Sequence, residues 1–287
     1  MSTWVLHRGA LGDCILLWPL LRALRSRGPV TLVGDLSKAR LAARFLGVEA
    51  RSAEDHRFSL LWSPDAGDRL RAQPIGGVTR VLAFLDGSAV SVWEANATVL
   101  FPGAGLELFS GRLDRPRALE LARRNARPAA WLPAPRSNPG GPVVIHVGAG
   151  SPAKRWPVAG WISIISLLRD HAIPLQLLAG EVEVERFGAD ERREFDSLSG
   201  RYLSTLDDLG DALAAARLFL GFDSGPAHLA AALGVPVLSV FLSTDPELWA
   251  PVARDAAGTE VIDARVDPGG APDLLLDALA RRLRITR

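Results

Sequence analysis

The sequence predicts an α/β protein built from two doubly wound parallel sheets with helices on both faces. Short apolar segments alternate with amphipathic helical segments along most of its 287 residues, the order that a parallel sheet wound with helices requires. The segment 217–222, RLFLGF, is apolar on both faces after its arginine, as a strand covered on both sides would be. A Pro- and Gly-rich stretch, Pro128–Pro142, divides the alternation into two series. We therefore expect two domains, 1–137 and 138–287.

The first domain opens on a strand, a tight loop and an apolar helix. Trp4–Arg8 is the predicted strand, residues 9–12 form the loop, and Asp13 stands at the start of the helix. Pro19 predicts a kink or a local break in that helix, because proline lacks the backbone N–H. Further strands are expected at 30–33, 58–62 and 79–84.

The second domain repeats strand and helix more regularly. Strands are expected at 143–147, 175–179, 201–204, 217–222 and 236–241. Helices are expected near 158–170, 183–196, 207–216, 226–233 and 272–283.

Composition favours a globular protein of a reducing compartment. The chain is 48% hydrophobic and 23% charged, and no segment has the eighteen or so unbroken apolar residues of a membrane span. We expect a cytoplasmic protein, because the N-terminus lacks the pattern of a signal peptide and the single cysteine excludes an internal disulfide. That residue, Cys14, could act as a nucleophile, but we interpret it as a small apolar residue at a helix start.

The two predicted domains differ in charge. Residues 1–137 carry 19 Lys and Arg against 12 Asp and Glu, a net +7, and residues 138–287 carry 14 against 20, a net −6. A basic N-terminal domain suits an anionic acceptor or an anionic membrane surface. Electrostatic attraction between the two domains explains the charge difference equally well. Nucleic acid is disfavoured, because the arginines at 112–127 lack the aromatic residues on which bases stack.

Two loops of the second domain have the composition of an anion site. The first, after strand 143–147, contains Gly148, Gly150 and Ser151 and then Lys154. Its glycines let backbone amides face an anion, and the lysine adds a positive charge. The second is Asp223-Ser224-Gly225-Pro226, where Ser224 can cap a helix and free N–H groups attract an anion. A phosphate-bearing ligand fits both loops, although the second is also an ordinary strand-to-helix turn.

Asp13 has two interpretations. A carboxylate in a first helical turn is favoured by the helix dipole. The same carboxylate is also presented at the carboxyl end of the first strand, the edge at which ligands bind in open α/β sheets.

Several ordered segments together resemble glycosyltransferase family 9, the lipopolysaccharide heptosyltransferase family. They are GALGDCILLWPLLRAL (9–24), the loop through KRWP (154–157), LLAGEVEVE (177–185), GFDSGPAHLAAALGVPVLSVF (221–241) and TDPELWAP (244–251). The resemblance implies the GT-B fold, two Rossmann-like domains facing across a cleft, with the last helix packing back on the N-terminal domain. The chain departs from the family in its short length, in Leu242-Ser243 before Thr244, and in an unmatched region 50–135.

The resemblance also implies roles for individual residues. Asp13 matches the catalytic base of an inverting transfer, and Lys154 the lysine that faces the diphosphate. Ser224 and Gly225, like Gly148, Gly150 and Ser151, would bind the donor phosphates, and Asp223 would orient its turn. Glu183 would accept hydrogen bonds from the ribose, with Glu181 and Glu185 as substitutes. His228, Trp156 and Trp249 are interpreted as packed residues.

The resulting hypothesis is a metal-independent glycosyltransferase of cell-envelope polysaccharide synthesis. The donor would be a nucleotide sugar, ADP-heptose, held by the C-terminal domain, and no cofactor is expected. The acceptor would be an anionic glycolipid or a saccharide on the N-terminal domain, with peripheral contact at the inner face of the membrane. Two alternatives stay open: a sugar-nucleotide epimerase of the same fold, and a catalytically silent protein that binds nucleotide sugars.

Overall fold

The computed structural model describes residues 2–85, 90–110, 112–126, 131–134, 138–253 and 258–287. The chain divides into two compact units, Met1–Trp131 and Leu132–Arg287, hereafter unit 1 and unit 2. The sequence-based boundary, after residue 137, falls six residues later. Parts of the predicted linker, 128–130 and 135–137, lie outside the described residues.

Unit 1 is built on a five-stranded sheet in which every pairing is parallel, in the order β3-β2-β1-β4-β5. Its strands are β1 Ser2–Leu6, β2 Val30–Gly34, β3 Glu49–Ser52, β4 Val78–Leu85 and β5 Gly105–Ser110. Its helices are α1 Leu11–Leu16, α2 Trp18–Arg25, α3 Leu36–Leu46, α4 His56–Leu60, α5 Gly67–Arg71, α6 Val90–Leu100 and α7 Arg115–Asn125. On one face, side chains of β1 and β4 pack with Trp93 and Leu100 of α6.

Unit 2 is built on a six-stranded parallel sheet in the order β11-β10-β9-β6-β7-β8. Its strands are β6 Val143–His146, β7 Leu175–Ala179, β8 Arg201–Tyr202, β9 Leu218–Phe222, β10 Val237–Phe241 and β11 Thr259–Asp263. Its helices are α8 Ile162–Asp170, α9 Glu181–Arg186, α10 Ala189–Ser197, α11 Leu206–Ala215, α12 Gly225–Ala232, α13 Pro246–Trp249 and α14 Ala271–Leu283. Single 3-10 turns span Pro152–Lys154 and Val158–Trp161.

Both faces of the unit 2 sheet are buried, as the apolar strands predict. Val143 and Ile145 pack into one core with α8 and α14, whereas Val144, between them, is equally buried on the other face. The last helix, α14, packs against α8, β10 and β11 of its own unit. Among the described residues, no helix is both long and apolar enough to cross a membrane.

Two predicted elements differ from the structure. The predicted strand 58–62 is wrong: residues 58–60 belong to α4, because the Asp55 side chain caps the helix by accepting from Arg57 N–H at 3.0 Å. The predicted helix 183–196 is divided into α9 and α10. The break expected near Pro19 is present and falls at Leu17, so that Pro19 occupies the first turn of α2.

Candidate active site

The central strands of unit 2 create the crevice in which open α/β sheets bind ligands. β6 lies between β7 and β9. From β6 the chain continues outward to β7 and β8, then crosses back to β9 and continues outward on the other side to β10 and β11. The loops after β6 and β9 therefore diverge at the carboxyl edge, which is the topological switch point. These loops carry the predicted phosphate-binding residues Gly148–Lys154 and Asp223–Gly225.

Lys154, Asp223 and Thr244 meet at this edge, although they follow three different strands. Lys154 Nζ donates to Asp223 Oδ2 at 2.5 Å, and Thr244 Oγ1 donates to the same oxygen at 2.6 Å. The Asp223 side chain is 7% exposed and that of Lys154 is 25% exposed. Asp223 therefore anchors the lysine at the surface of the crevice, where the ammonium still has N–H donors for a ligand.

The turn after β9 begins α12 with backbone groups. Ser224 is the N-cap residue, as expected, but its hydroxyl donates to Phe222 O at 3.1 Å and makes no capping bond to the helix. Pro226 lies in the first turn and has no N–H to satisfy. The Ser224 side chain thus accepts no hydrogen bond from the first-turn N–H groups of Gly225 and Ala227. Such N–H groups at a helix start can donate to a bound anion.

The loop after β6 is fitted closely to a buried glutamate. Glu183 is 5% exposed, and its Oε2 accepts from Gly180 N–H at 2.9 Å at the start of α9. Its carboxylate lies against Gly148, where an added Cβ would meet Oε1 at 1.9 Å. Glu183 is therefore buried, although it stands in the first turn of α9, where glutamates are commonly solvated. Gly150, in contrast, has open space around the position of a Cβ.

His146 was not identified from the sequence, where it lies within the apolar strand predicted at 143–147; in the structure it is the last residue of β6. It is 5% exposed, and Nε2 lies 3.9 Å from Glu183 Oε2. Burial lowers the pKa of His146 below its usual value, with the nearby Glu183 carboxylate acting in the opposite direction. His146 is thus a neutral side chain beneath the Gly148 loop.

The residues interpreted as packed are buried or half-buried. Trp156 packs edge-on against Phe222, with ring centroids 4.7 Å apart, and also contacts Trp161. Trp249 is half-buried. His228 is 5% exposed, with Nε2 4.0 Å from Asp223 Oδ1, so it packs beside the lysine anchor.

Asp13 belongs to unit 1, in the first turn of α1. Its Oδ2 accepts from Ala10 N–H at 3.2 Å, and its Oδ1 accepts from Arg112 Nε at 3.0 Å. An added Cβ on Gly9 would meet His7 at 2.4 Å and Asp13 at 2.8 Å, so glycine is needed where these side chains converge. Arg112, 99 positions away, has no local sequence signal that relates it to Asp13.

A cavity of about 270 Å³ opens beside Asp13 at the carboxyl edge of the unit 1 sheet. Its lining comes from the ends of the strands, from the loops after them, and from the helical segments nearby. Its polar side chains include His7, Arg8, Asp13 and Arg112. Asp13 is therefore placed where a ligand hydroxyl can reach it.

Cys14, the neighbour of Asp13, is buried, and burial raises its pKa to about 12. A thiol with such a pKa is not ionised near neutral pH, so it is not a nucleophile there. The structure agrees with its interpretation as a small apolar residue.

Within the described ranges, no three His, Cys, Asp or Glu side chains come together as a metal site would need. Metal-independent chemistry stays a prediction, which chelation tests.

Comparison with known proteins assigns the family. Residues 116–265, just over half of the chain, match the sequence profile "Glycosyltransferase family 9 (heptosyltransferase)". The chain belongs to glycosyltransferase family 9. The resemblance based on the sequence motifs is thereby confirmed.

Individual relatives match parts of the chain. Lipopolysaccharide heptosyltransferase 3 of Escherichia coli is 31% identical over 115 residues, which cover 38% of this chain and 33% of that protein. Lipopolysaccharide heptosyltransferase 1 of Pseudomonas aeruginosa is 27% identical over 188 residues, 54% of this chain and 52% of that one. The chain thus spans about a third to a half of the length of these curated relatives.

Solved structures match over nearly the whole length. The Escherichia coli ADP-heptose lipopolysaccharide heptosyltransferase II superposes with a TM-score of 0.69 at 18% identity, covering 99% of each chain. The Escherichia coli heptosyltransferase WaaC with ADP superposes with a TM-score of 0.67 at 17% identity, also over 99% of each chain. These similarities confirm the predicted fold class, two doubly wound parallel-sheet domains of the GT-B type.

Proposed function

We propose that the protein is an inverting glycosyltransferase that transfers heptose from ADP-heptose to a saccharide or lipid-linked acceptor of the cell envelope. Membership of family 9 supports the reaction class, and the similarity to heptosyltransferases supports the heptose donor. The observation that carries the proposal is the Lys154–Asp223–Thr244 cluster at the switch point of unit 2.

The cluster suits a diphosphate leaving group. As the bond between the anomeric carbon and the phosphate oxygen breaks, its electron pair goes to the nucleotide, and negative charge grows on the diphosphate. Lys154, held in place by Asp223, stabilises that charge without having to reorganise. The first-turn amides of α12 and the Gly148–Ser151 loop contribute further N–H donors to the phosphates. Asp223 acts through Lys154, because a carboxylate itself would repel the diphosphate.

Asp13 suits the general base. Its carboxylate takes the proton of the acceptor hydroxyl while the oxygen attacks the anomeric carbon from the face opposite to the leaving diphosphate, which inverts that centre. Ala10 N–H and Arg112 fix the orientation of the carboxylate beside the cavity.

The remaining assignments concern the ribose, the acceptor and the location. Glu183 stays the proposed ribose acceptor, with the added role of supporting the Gly148 loop that it contacts. The basic balance of residues 1–137 supports an anionic acceptor and peripheral contact with an anionic membrane surface.

Nucleotide binding and turnover test the proposal. Calorimetric titration of the full chain with ADP, UDP and GDP should give the tightest binding for ADP, and ADP-heptose should be converted to ADP. Lys154→Ala should weaken ADP binding, whereas Arg201→Ala, an exposed change on β8, should not. Tighter binding of UDP or GDP than of ADP would overturn the ADP-heptose assignment.

A further inference from the structure

Two consecutive basic residues hold the loop after β6 from its two sides. Lys154 forms an ion pair with Asp223, which follows β9, and Arg155 forms one with Glu191, in the first turn of α10. β9 and β7 are the two neighbours of β6 in the sheet, and α10 belongs to the connection that follows β7. The two ion pairs therefore join this loop to the segments that follow both neighbouring strands.

The pair of Arg155 and Glu191 has a well-defined geometry. Nη1 and Nη2 of Arg155 donate to Oε1 and Oε2 of Glu191 at 2.6 Å and 3.1 Å, the two-pronged contact in which guanidinium and carboxylate match best. The guanidinium also lies over the ring of Phe187, with Cζ 5.3 Å from the ring centroid. The Arg155 side chain is 13% exposed, compared with 25% for Lys154. Arg155 is thus held more firmly than the lysine beside it.

This geometry gives Arg155 a task different from that of Lys154. The hydrogen bonds from Arg155 hold the pKa of Glu191 below its usual value, so the carboxylate is ionised near neutral pH and compensates the charge of the guanidinium. Both terminal nitrogens of the guanidinium donate to that carboxylate. A compensated cation in a fixed place suits the support of a loop better than the binding of a phosphate.

Two further contacts join the loop to the connection after β7. Arg186 Nη1, at the end of α9, donates to Gly150 O at 2.9 Å, and the Glu183 carboxylate lies against Gly148. These contacts hold the glycine-rich part of the loop. The contact made by Arg155 is the one adjacent in sequence to the proposed catalytic lysine, so its loss affects that lysine first.

We propose that Arg155 is a positioning residue for Lys154: its pair with Glu191 fixes the backbone that carries the lysine, so that the ammonium meets the leaving diphosphate in the correct place. Arg155 acts through Lys154 and does not itself contact the donor. A displacement of about 1 Å, caused by a substitution away from the reacting atoms, can cost about a hundredfold in rate. This inference rests on the proposed function, because its effect on the reaction passes through Lys154.

Lysine resonances report on the surroundings of Lys154 without any substrate. The chain contains two lysines, Lys38 and Lys154, so labelling with ¹³C at Cε gives two side-chain signals, which Lys154→Ala assigns. In Arg155→Gln the Lys154 signal should shift, whereas the signal of Lys38, in unit 1, should stay in place. Arg281→Gln, the same change at an exposed ion pair of α14, should shift neither signal. Glu191→Gln should reproduce the shift, and it decides if Arg155→Gln does not fold. An unchanged Lys154 signal in the folded variant would overturn the proposal.

A double-mutant cycle separates positioning from a general effect on the fold. Arg155→Gln should lower kcat about tenfold in the otherwise wild-type protein. In the Lys154→Ala background the same change should lower kcat by less than about twofold, because no lysine is left to position. An equal loss in both backgrounds would mean that Arg155 acts independently of Lys154, and this result would contradict the proposal.

The two measurements distinguish failure of this inference from failure of the proposed function. The lysine spectra of wild type and Arg155→Gln require neither nucleotide nor turnover. If wild type converts ADP-heptose to ADP and the Lys154 signal does not respond to Arg155→Gln, the inference alone fails. If the signal responds to Arg155→Gln, but wild type neither binds ADP nor converts ADP-heptose, the donor assignment fails while Arg155 still positions Lys154.

Discussion

Lys154 and Asp223 lie 69 positions apart in the sequence, and their charged atoms meet at 2.5 Å. The carboxylate is nearly buried and also accepts from Thr244, so it has a fixed geometry, whereas the ammonium remains partly exposed. A nearly buried anion that holds a partly exposed cation keeps that cation ready for an anionic ligand. The pair thus combines a structural contact with the catalytic role that we propose for Lys154.

Removal of Lys154 should therefore slow the reaction more than it destabilises the protein. We expect Lys154→Ala to lower kcat on the order of a hundredfold, as loss of one preorganised charge at a leaving group does. Steady-state kinetics measure the effect, and Arg201→Ala serves as the exposed control. Near-normal turnover in Lys154→Ala would remove this lysine from the mechanism.

Gly148 and Glu183 form a second testable pair. Gly148→Ala should destabilise unit 2 by about 1–3 kcal/mol, because the new Cβ would overlap the Glu183 carboxylate. Gly150→Ala should leave stability nearly unchanged, since nothing lies near that position.

A double-mutant cycle distinguishes this overlap from a general effect on the loop. In a Glu183→Ala background, urea unfolding should show a smaller cost for Gly148→Ala than in wild type. An equal cost in both backgrounds would mean that Glu183 is not the group that excludes a side chain at Gly148.

His146 should contribute a pH dependence to stability. Because burial lowers its folded pKa, the unfolded chain binds the proton first, and this contribution is lost as the pH falls below about 6.5. The loss cannot exceed about 1.4 kcal/mol per pH unit for one proton.

The comparison of wild type with His146→Gln isolates this contribution from that of other groups. Urea unfolding at several pH values between about 7.5 and 5 should show a steeper fall for wild type than for the variant. If the free energy of unfolding fell equally with pH in both proteins, the pKa of His146 would be the same in the folded and unfolded chain.

Chelation tests the prediction of metal-independent chemistry. Activity should survive EDTA, because Lys154 and the first-turn amides of α12 are proposed to face the diphosphate. EDTA saturated with magnesium before addition is the matched control. Loss of activity on chelation that magnesium or manganese restores would reveal an overlooked metal site.

The parts of the fold predicted from the sequence were those with strong local patterns. β6, β9 and β10 are buried on both faces, so most of their residues are apolar. β3, β5 and β11 were missed because they are edge strands with many partly exposed side chains. Asp55, the cap of α4, was the local signal that could have corrected the strand predicted at 58–62.

The candidate site likewise contains residues that could be predicted from the sequence and residues that could not. Lys154 and Asp223 could each be chosen from its own loop, but their contact depends on which strands become neighbours. Arg112 and His146 carry no local signal, because one is among several arginines and the other ends an apolar strand. Their relationships to Asp13 and Glu183 exist only in the folded chain.

The rate of the Asp13→Asn variant, measured with a verified acceptor, tests the proposed mechanism most directly. The change retains an oxygen to accept from Ala10 N–H, so stability should fall by less than about 1 kcal/mol. Asp208→Asn is the matched control, because Asp208 holds the same third helical position in α11 and accepts from Thr205 N–H. We expect intact ADP affinity and a rate lowered by about 10²–10⁴-fold for Asp13→Asn, with an ordinary rate for Asp208→Asn. A wild-type rate in Asp13→Asn would contradict the assignment of Asp13 as the general base.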